Sequence, residues 1–244
     1  MLIDIHCHLE MCEKPEEILE EARKKNLIIV SAGTNEKTNE KLLSWEHSNL
    51  KICLGLYPID ALKCGEDEID QIINNITKNS VCIWGIGEVG IDYKESTQEE
   101  EHDRQKEIFR KFVQLSIELD KHIVVHSRKA EEDCIKILEE MKTKKVIMHC
   151  FSGNMKLVDR ITKNGWFFSI PSNVAFSQHF QTVISKVPIS QLLSETDSPY
   201  LHPEKSWPNT PLNVQSSYEK ISEIKKLTMK EVEVAIEENY NNLS

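Results

Sequence analysis

Two histidines stand two positions apart near the start of the chain, His6 and His8 in LIDIHCHLE, with Asp4 just upstream. In an extended strand, side chains i and i+2 share a face, so both imidazoles can look into one pocket while Cys7 turns toward the outer layer. Further ligand-type residues lie in short apolar runs: Glu88 in GIGEVG, His126 in VVHSR, His149 in IMHCF, and Glu195 and Asp197 in SETDSP. Imidazole and carboxylate are common protein donors to divalent cations. A single catalytic zinc takes about three protein ligands and a water. His6, His8, Glu88, His126, His149 and Asp197 exceed that need, and the surplus points to two divalent ions. A carboxylate such as Glu88 can bridge two ions, as imidazole ordinarily does not. Two ions about 3.5–4 Å apart can activate a water and stabilise both oxygens of a displacement. The mixed donors admit magnesium, manganese or zinc. Any one of these residues alone would read as a hydrogen-bonded residue at a strand end. The set is what points to metal.

The set needs a scaffold that brings it together. Short β-rich runs alternate with longer amphipathic runs along the whole chain, at about 30 residues per βα unit. Runs such as LIIVSA and HIVVH are apolar almost throughout, as parallel strands covered on both faces are. The run QEEEHDRQKEIFRKFVQLSIELDK has helical spacing, with Ile108, Phe109, Phe112, Val113, Leu115, Ile117 and Leu119 between charges. Eight strands and at least eight helices in 244 residues predict an α/β fold, a (β/α)8 TIM barrel in a single domain over 1–244. A doubly wound open sheet is the competing architecture, but no G-x-G-x-x-G follows the first strand. In a barrel, active sites lie at the C-terminal strand ends, where the six candidates fall. The remaining histidines, His47, His102, His122, His179 and His202, fall on helices, strand starts or loops, and most are expected to be solvated.

A formal net charge of −10 is far from the basic footprint of a protein that grips long nucleic acid. Any phosphate chemistry would draw its positive charge from metal ions. The seven cysteines show no C-x-x-C pairing, which predicts free thiols in a reducing cytoplasm. No apolar run approaches a membrane span, and no leader is evident. A cytoplasmic protein without a membrane or an obligate protein partner is expected.

The motifs DIHCHL, IGEVGIDY, VVHSR, MHCFSG and SETDSPYL, in this order, resemble those of the TatD-type metal-dependent deoxyribonucleases of the amidohydrolase-like superfamily. ENYNNL is similar to that family's C-terminal helix. The resemblance covers nearly the whole chain. It implies a (β/α)8 barrel, a divalent-metal centre and hydrolysis of DNA phosphodiesters. It implies that His6 and His8 hold a first ion, that Glu88 bridges, and that His126 and His149 hold a second. It also implies that Asp197 completes the site and handles the proton of the attacking water.

Two segments depart from the family pattern. Tyr57 in GLYP stands where the family usually has His in Gly-x-His-Pro. The loop HPEKSWPNTP keeps Lys205 but loses the usual Arg-Gly-Lys cluster. Tyr57, Arg128, His202 and Lys205 are the candidate substrate contacts, although Arg128 could equally pair with a rim carboxylate. The expected substrate is DNA, taken at single-stranded or frayed ends. The competing function is a metal-dependent amidohydrolase or deaminase acting on a C–N bond of a small molecule. Such enzymes often use a Lys ligand where this chain offers Glu88.

Overall fold

A computed structural model describes residues 1–243. Ser244, the last residue of the expected domain, lies outside the described residues. The strands are β1 (Leu2–Cys7), β2 (Leu27–Ala32), β3 (Leu50–Leu54), β4 (Gly85–Gly90), β5 (His122–His126), β6 (Val146–Met148), β7 (Phe167–Pro171) and β8 (Leu192–Glu195). They form one parallel sheet in sequential order. The sheet curls until β8 lies beside β1. Ser194 Oγ donates to Ile3 O at 2.7 Å, and past the strand ends Asp197 N donates to His6 O at 3.0 Å and His8 N to Ser198 O at 2.7 Å. This is the predicted (β/α)8 barrel. Successive residues Ile123, Val124 and Val125 are each 0% exposed, which requires cover on both faces of the sheet.

The cover comes from α1 (Pro15–Lys24), α2 (Glu36–Leu43), α3 (Pro58–Ala61), α4 (Glu66–Lys78), α5 (Glu99–Glu118), α6 (Glu131–Glu140), α7 (Met155–Lys163), α8 (Gln178–Lys186), α9 (Gln215–Lys225) and α10 (Met229–Asn241). In α4, Ile69, Ile72 and Ile76 make the buried stripe at three- and four-residue spacing. Reciprocal capping boxes start α2 (Asn35 with Thr38) and α10 (Thr228 with Glu231). In α5, Glu99, Glu100 and Glu101 face the positive end of the helix dipole. Ile108 to Leu115 bury the expected apolar stripe, but Ile117 is 43% exposed. Ile117 directly follows the buried Ser116, and on a helix a neighbour in sequence points about 100° away.

Strand β4 has an unusual backbone. Gly87 and Gly90 have φ of +147° and +150°, which side chains rarely allow. A Cβ on Gly90 would stand 1.9 Å from His126 O. The register with β5 shifts between Ile86 and Val89. Glycine thus lets β4 press against β5 on either side of Glu88. The expectation that the other histidines are mostly solvated is not met. His122 is fully buried at the start of β5, its ring centroid 3.4 Å from that of Trp84, and the other four are partly covered.

Burial lowers the His122 pKa to about 3. An unfolded His titrates near 6.5. The unfolded chain therefore takes up the proton first as the pH falls. Stability that is intact above about pH 6.5 is lost towards pH 3, at up to about 1.4 kcal/mol per unit. His122→Phe should remove this contribution. Urea titrations at pH 6.5 and 4.5 should show the wild type losing about 2 kcal/mol more than the variant. Equal losses would show that His122 does not titrate this way.

Candidate metal centre

The barrel brings the six sequence-predicted ligands to one rim. His6 ends within β1, whereas His8 lies one residue beyond that strand and opens a short 3-10 turn. Glu88 lies inside β4 and His126 is the last residue of β5. His149 and Asp197 follow β6 and β8. Glu88 is the hub. Its Oε2 lies 3.6 Å from His6 Nε2 and 3.3 Å from His8 Nε2. Its Oε1 lies 2.8 Å from His126 Nδ1 and 3.9 Å from His149 Nε2. Asp197 Oδ1 stands 3.7, 3.6 and 3.9 Å from the Nε2 atoms of His6, His8 and His149.

These groups fit divalent cations. Both ring nitrogens of His6 are buried and have no hydrogen-bond partner among the described residues, a state that binding a metal would relieve. Ligand atoms about 2.0–2.2 Å from one tetrahedral ion stand roughly 3.3–3.6 Å apart, close to the separations around Glu88 and Asp197. Three overlapping clusters emerge: His6, His8 and Glu88; Glu88, His126 and His149; and His6, His149 and Asp197. The electrostatics agree. Burial alone would raise the Glu88 pKa, but the surrounding imidazoles of His126, His6 and His8 hold it well below the usual range. Asp197 is likewise lowered against its burial, chiefly by His8 and His149. Two carboxylates ionised in a buried site call for cationic company.

A cavity of about 650 Å³ opens over the centre. Tyr57 and Arg128 line it; His202 and Lys205 are not among its lining residues. His202 Nδ1 accepts from Glu204 N at 3.0 Å, and Lys205 Nζ sits 4.5 Å above the Phe176 ring. Arg128 pairs with Glu95 at 3.3 Å, the rim pairing that the sequence left open.

A family model, TatD related DNase, matches residues 3–244. The chain belongs to that family. An uncharacterized metal-dependent hydrolase of Methanocaldococcus jannaschii is 37% identical over 242 residues, covering 97% of this chain and 94% of the relative. The deoxyribonuclease TATDN3 of Homo sapiens is 30% identical over 246 residues, covering 95% and 90%. The crystal structure of YjjV, a TatD homologue from Escherichia coli, superposes with a TM-score of 0.90 at 21% identity, over 99% of this chain and 97% of that one.

This TatD-family centre also contains residues that sequence reasoning did not assign. Asp92 Oδ2 lies 2.9 Å from His126 Nε2 and accepts from Tyr57 Oη at 3.1 Å. Its pKa falls to about 2: burial opposes the charge, but His126 and the backbone N–H groups of Glu95 and Lys94 outweigh it. Glu195 Oε2 lies 2.8 Å from His149 Nδ1, while its Oε1 accepts from Cys150 N at 3.0 Å. Asp4, from the opening motif, accepts from Thr196 N at 2.8 Å and Thr196 Oγ1 at 2.6 Å, which fixes the backbone just before Asp197. The signals were present, since Asp92 closes the run GEVGID and Glu195 lies two before Asp197.

Carboxylates behind ligating imidazoles fix ring orientation and typically contribute 10–100-fold in metal affinity, by about that order. Asp92→Asn is expected to weaken metal binding by about 10–100-fold with the fold unchanged. Isothermal titration of the metal-stripped protein would check it, and wild-type affinity would remove Asp92 from the centre.

Proposed function

We propose that this TatD-family chain is a divalent-metal-dependent hydrolase of DNA phosphodiesters that trims single-stranded or frayed ends. The observation that carries the reading is the convergence of four imidazoles on Glu88, with the His6 nitrogens unpaired and Asp197 alongside. The relative named a deoxyribonuclease, matched over 95% of this chain, points the same way. His6 and His8 would hold one cation, His126 and His149 a second, with Glu88 shared and Asp197 completing the set. Bound cations would polarise the phosphoryl oxygens and offset the charge that develops during displacement. Asp197, kept ionised, accepts the proton of the attacking water. Glu88 stays ionised and holds four imidazoles in register. Arg128 reaches a phosphate oxygen from the cavity wall.

Product analysis on short strands labelled at the 3′ or 5′ end, with and without chelator, tests the reading. Stepwise loss of nucleotides that chelation abolishes is expected. Inactivity on every DNA, together with turnover of an amide or lactone, would favour amidohydrolase chemistry. The salt dependence is a separate check. Single-strand affinity falls with a slope of about −0.7 per neutralised phosphate. Arg128 is the one Lys or Arg among the described residues lining the cavity, so a slope of about −1 to −2 is expected even with Lys205 engaged. A slope near −5 would reveal a basic surface elsewhere.

A further inference from the structure

We propose that Trp207 and Tyr200 form a stacking platform for a base of the single-stranded DNA whose phosphodiester lies at the metal centre; the inference rests on the DNA reading above. Tyr200 connects the two places. It lines the cavity, its ring centroid is 6.4 Å from that of His8, and its backbone N–H donates to Asp197 O at 2.8 Å. The Trp207 ring lies beyond it, with centroids 5.5 Å apart and planes tilted by 52°. The two rings already touch, so a base meets the open indole face rather than a slot between them.

Trp207 is 66% exposed and Tyr200 46%. The other tryptophans, Trp45, Trp84 and Trp166, are half-buried or buried. A backbone frame holds the exposed rings in place. Asn209 N donates to Pro199 O at 2.8 Å, Asn209 Nδ2 to Thr196 O at 3.0 Å, and Ser172 Oγ to Leu201 O at 3.0 Å. The loop is thus closed at its base against the strand end that carries Asp197. The same loop carries Lys205, whose ammonium rests over Phe176, itself 55% exposed.

Charge argues for a base as the occupant. The protein has a net charge of −10, and Asp60 and Glu95 stand in the cavity wall. Coulomb attraction for a polyanion is therefore weak here. Stacking needs no charge, and base–aromatic stacking contributes about 5- to 150-fold in affinity per base. The patch is too small for a protein partner. Three aromatic side chains offer at most roughly 450–750 Å² on this side, short of the approximately 800 Å² that each partner buries in a standard protein interface.

The test compares short single strands in which the nucleotide next to the cleaved bond carries thymine or is abasic, with the abasic residue placed on either side. Metal-loaded wild type should prefer the thymine strand by about 5- to 150-fold in kcat/KM for one of the two placements. Trp207→Ala should bring that ratio close to one, and Trp207→Phe should retain most of it. A ratio that survives in Trp207→Ala overturns the platform. Fluorescence separates this failure from that of the DNA reading. A short phosphorothioate thymidylate strand should quench the emission that wild type has and Trp207→Phe lacks, and its abasic counterpart should not. Quenching without cleavage of any DNA would keep the platform and overturn the hydrolysis reading. No quenching overturns the platform whether or not DNA is cut.

Discussion

Asp197→Asn is expected to lower turnover on single-stranded DNA by about 10²–10⁴-fold while the protein stays folded. Asp197 is the acid whose Oδ1 stands within 3.6–3.9 Å of His6, His8 and His149. The amide keeps the shape and volume of the carboxylate but cannot take up the proton of an attacking water. Backbone conformation decides the choice of variant. Asp197 has φ of +52°, in the left-handed region that Asn tolerates and most other residues resist. Asp197→Ala would add a conformational cost of about 1–2 kcal/mol to the loss of the acid, and would confuse the two effects. Steady-state rates at saturating metal, beside circular dichroism spectra, measure the outcome. Near-normal turnover of a metal-saturated Asp197→Asn protein would remove this residue from proton transfer.

The second large effect is expected at Glu88. Its Oε2 faces the imidazoles of His6 and His8, and its Oε1 those of His126 and His149. Glu88→Gln keeps the side-chain shape and removes the one negative charge at the middle of four ring systems. A residue that only orients a ligand typically contributes about 10–100-fold in metal affinity; a donor shared by two ions, as proposed for Glu88, should exceed that. Elemental analysis after dialysis should find about two divalent ions per wild-type chain and one or fewer in Glu88→Gln. Turnover should fall with the metal content, and added metal should not restore it. Two retained ions in Glu88→Gln would show that the bridging assignment is wrong. Thermal unfolding of both metal-stripped proteins separates lost coordination from lost folding.

Much of the centre was legible in local pattern. His6, His126, His149 and Asp197 each close an apolar run, and in a parallel α/β chain such positions converge on one rim. Glu88 was visible because an acid between glycines interrupts a strand that otherwise reads as core. The parts that escaped depend on distant partners. Asp92 meets His126 across 34 residues of chain, and Glu195 meets His149 across 46. His122 looked like a solvated strand start until Trp84 and the end of the chain closed over it. Lys205 and His202 were candidate substrate contacts, and neither is among the residues that line the cavity.

The sequence by itself determined the strand and helix periods, the order of the strands, and the donor types at the strand ends. Those follow from local properties: side-chain alternation, helical spacing, and the chemistry of each residue. Only the tertiary structure decided which nitrogen faces which oxygen, and which carboxylates stand behind the imidazoles. It also decided that Tyr57 engages Asp92 and that Trp207 is left in water beside Tyr200. The reason is closure of the barrel. Distances between the ends of strands far apart in sequence are set when β8 meets β1, and no local preference encodes them.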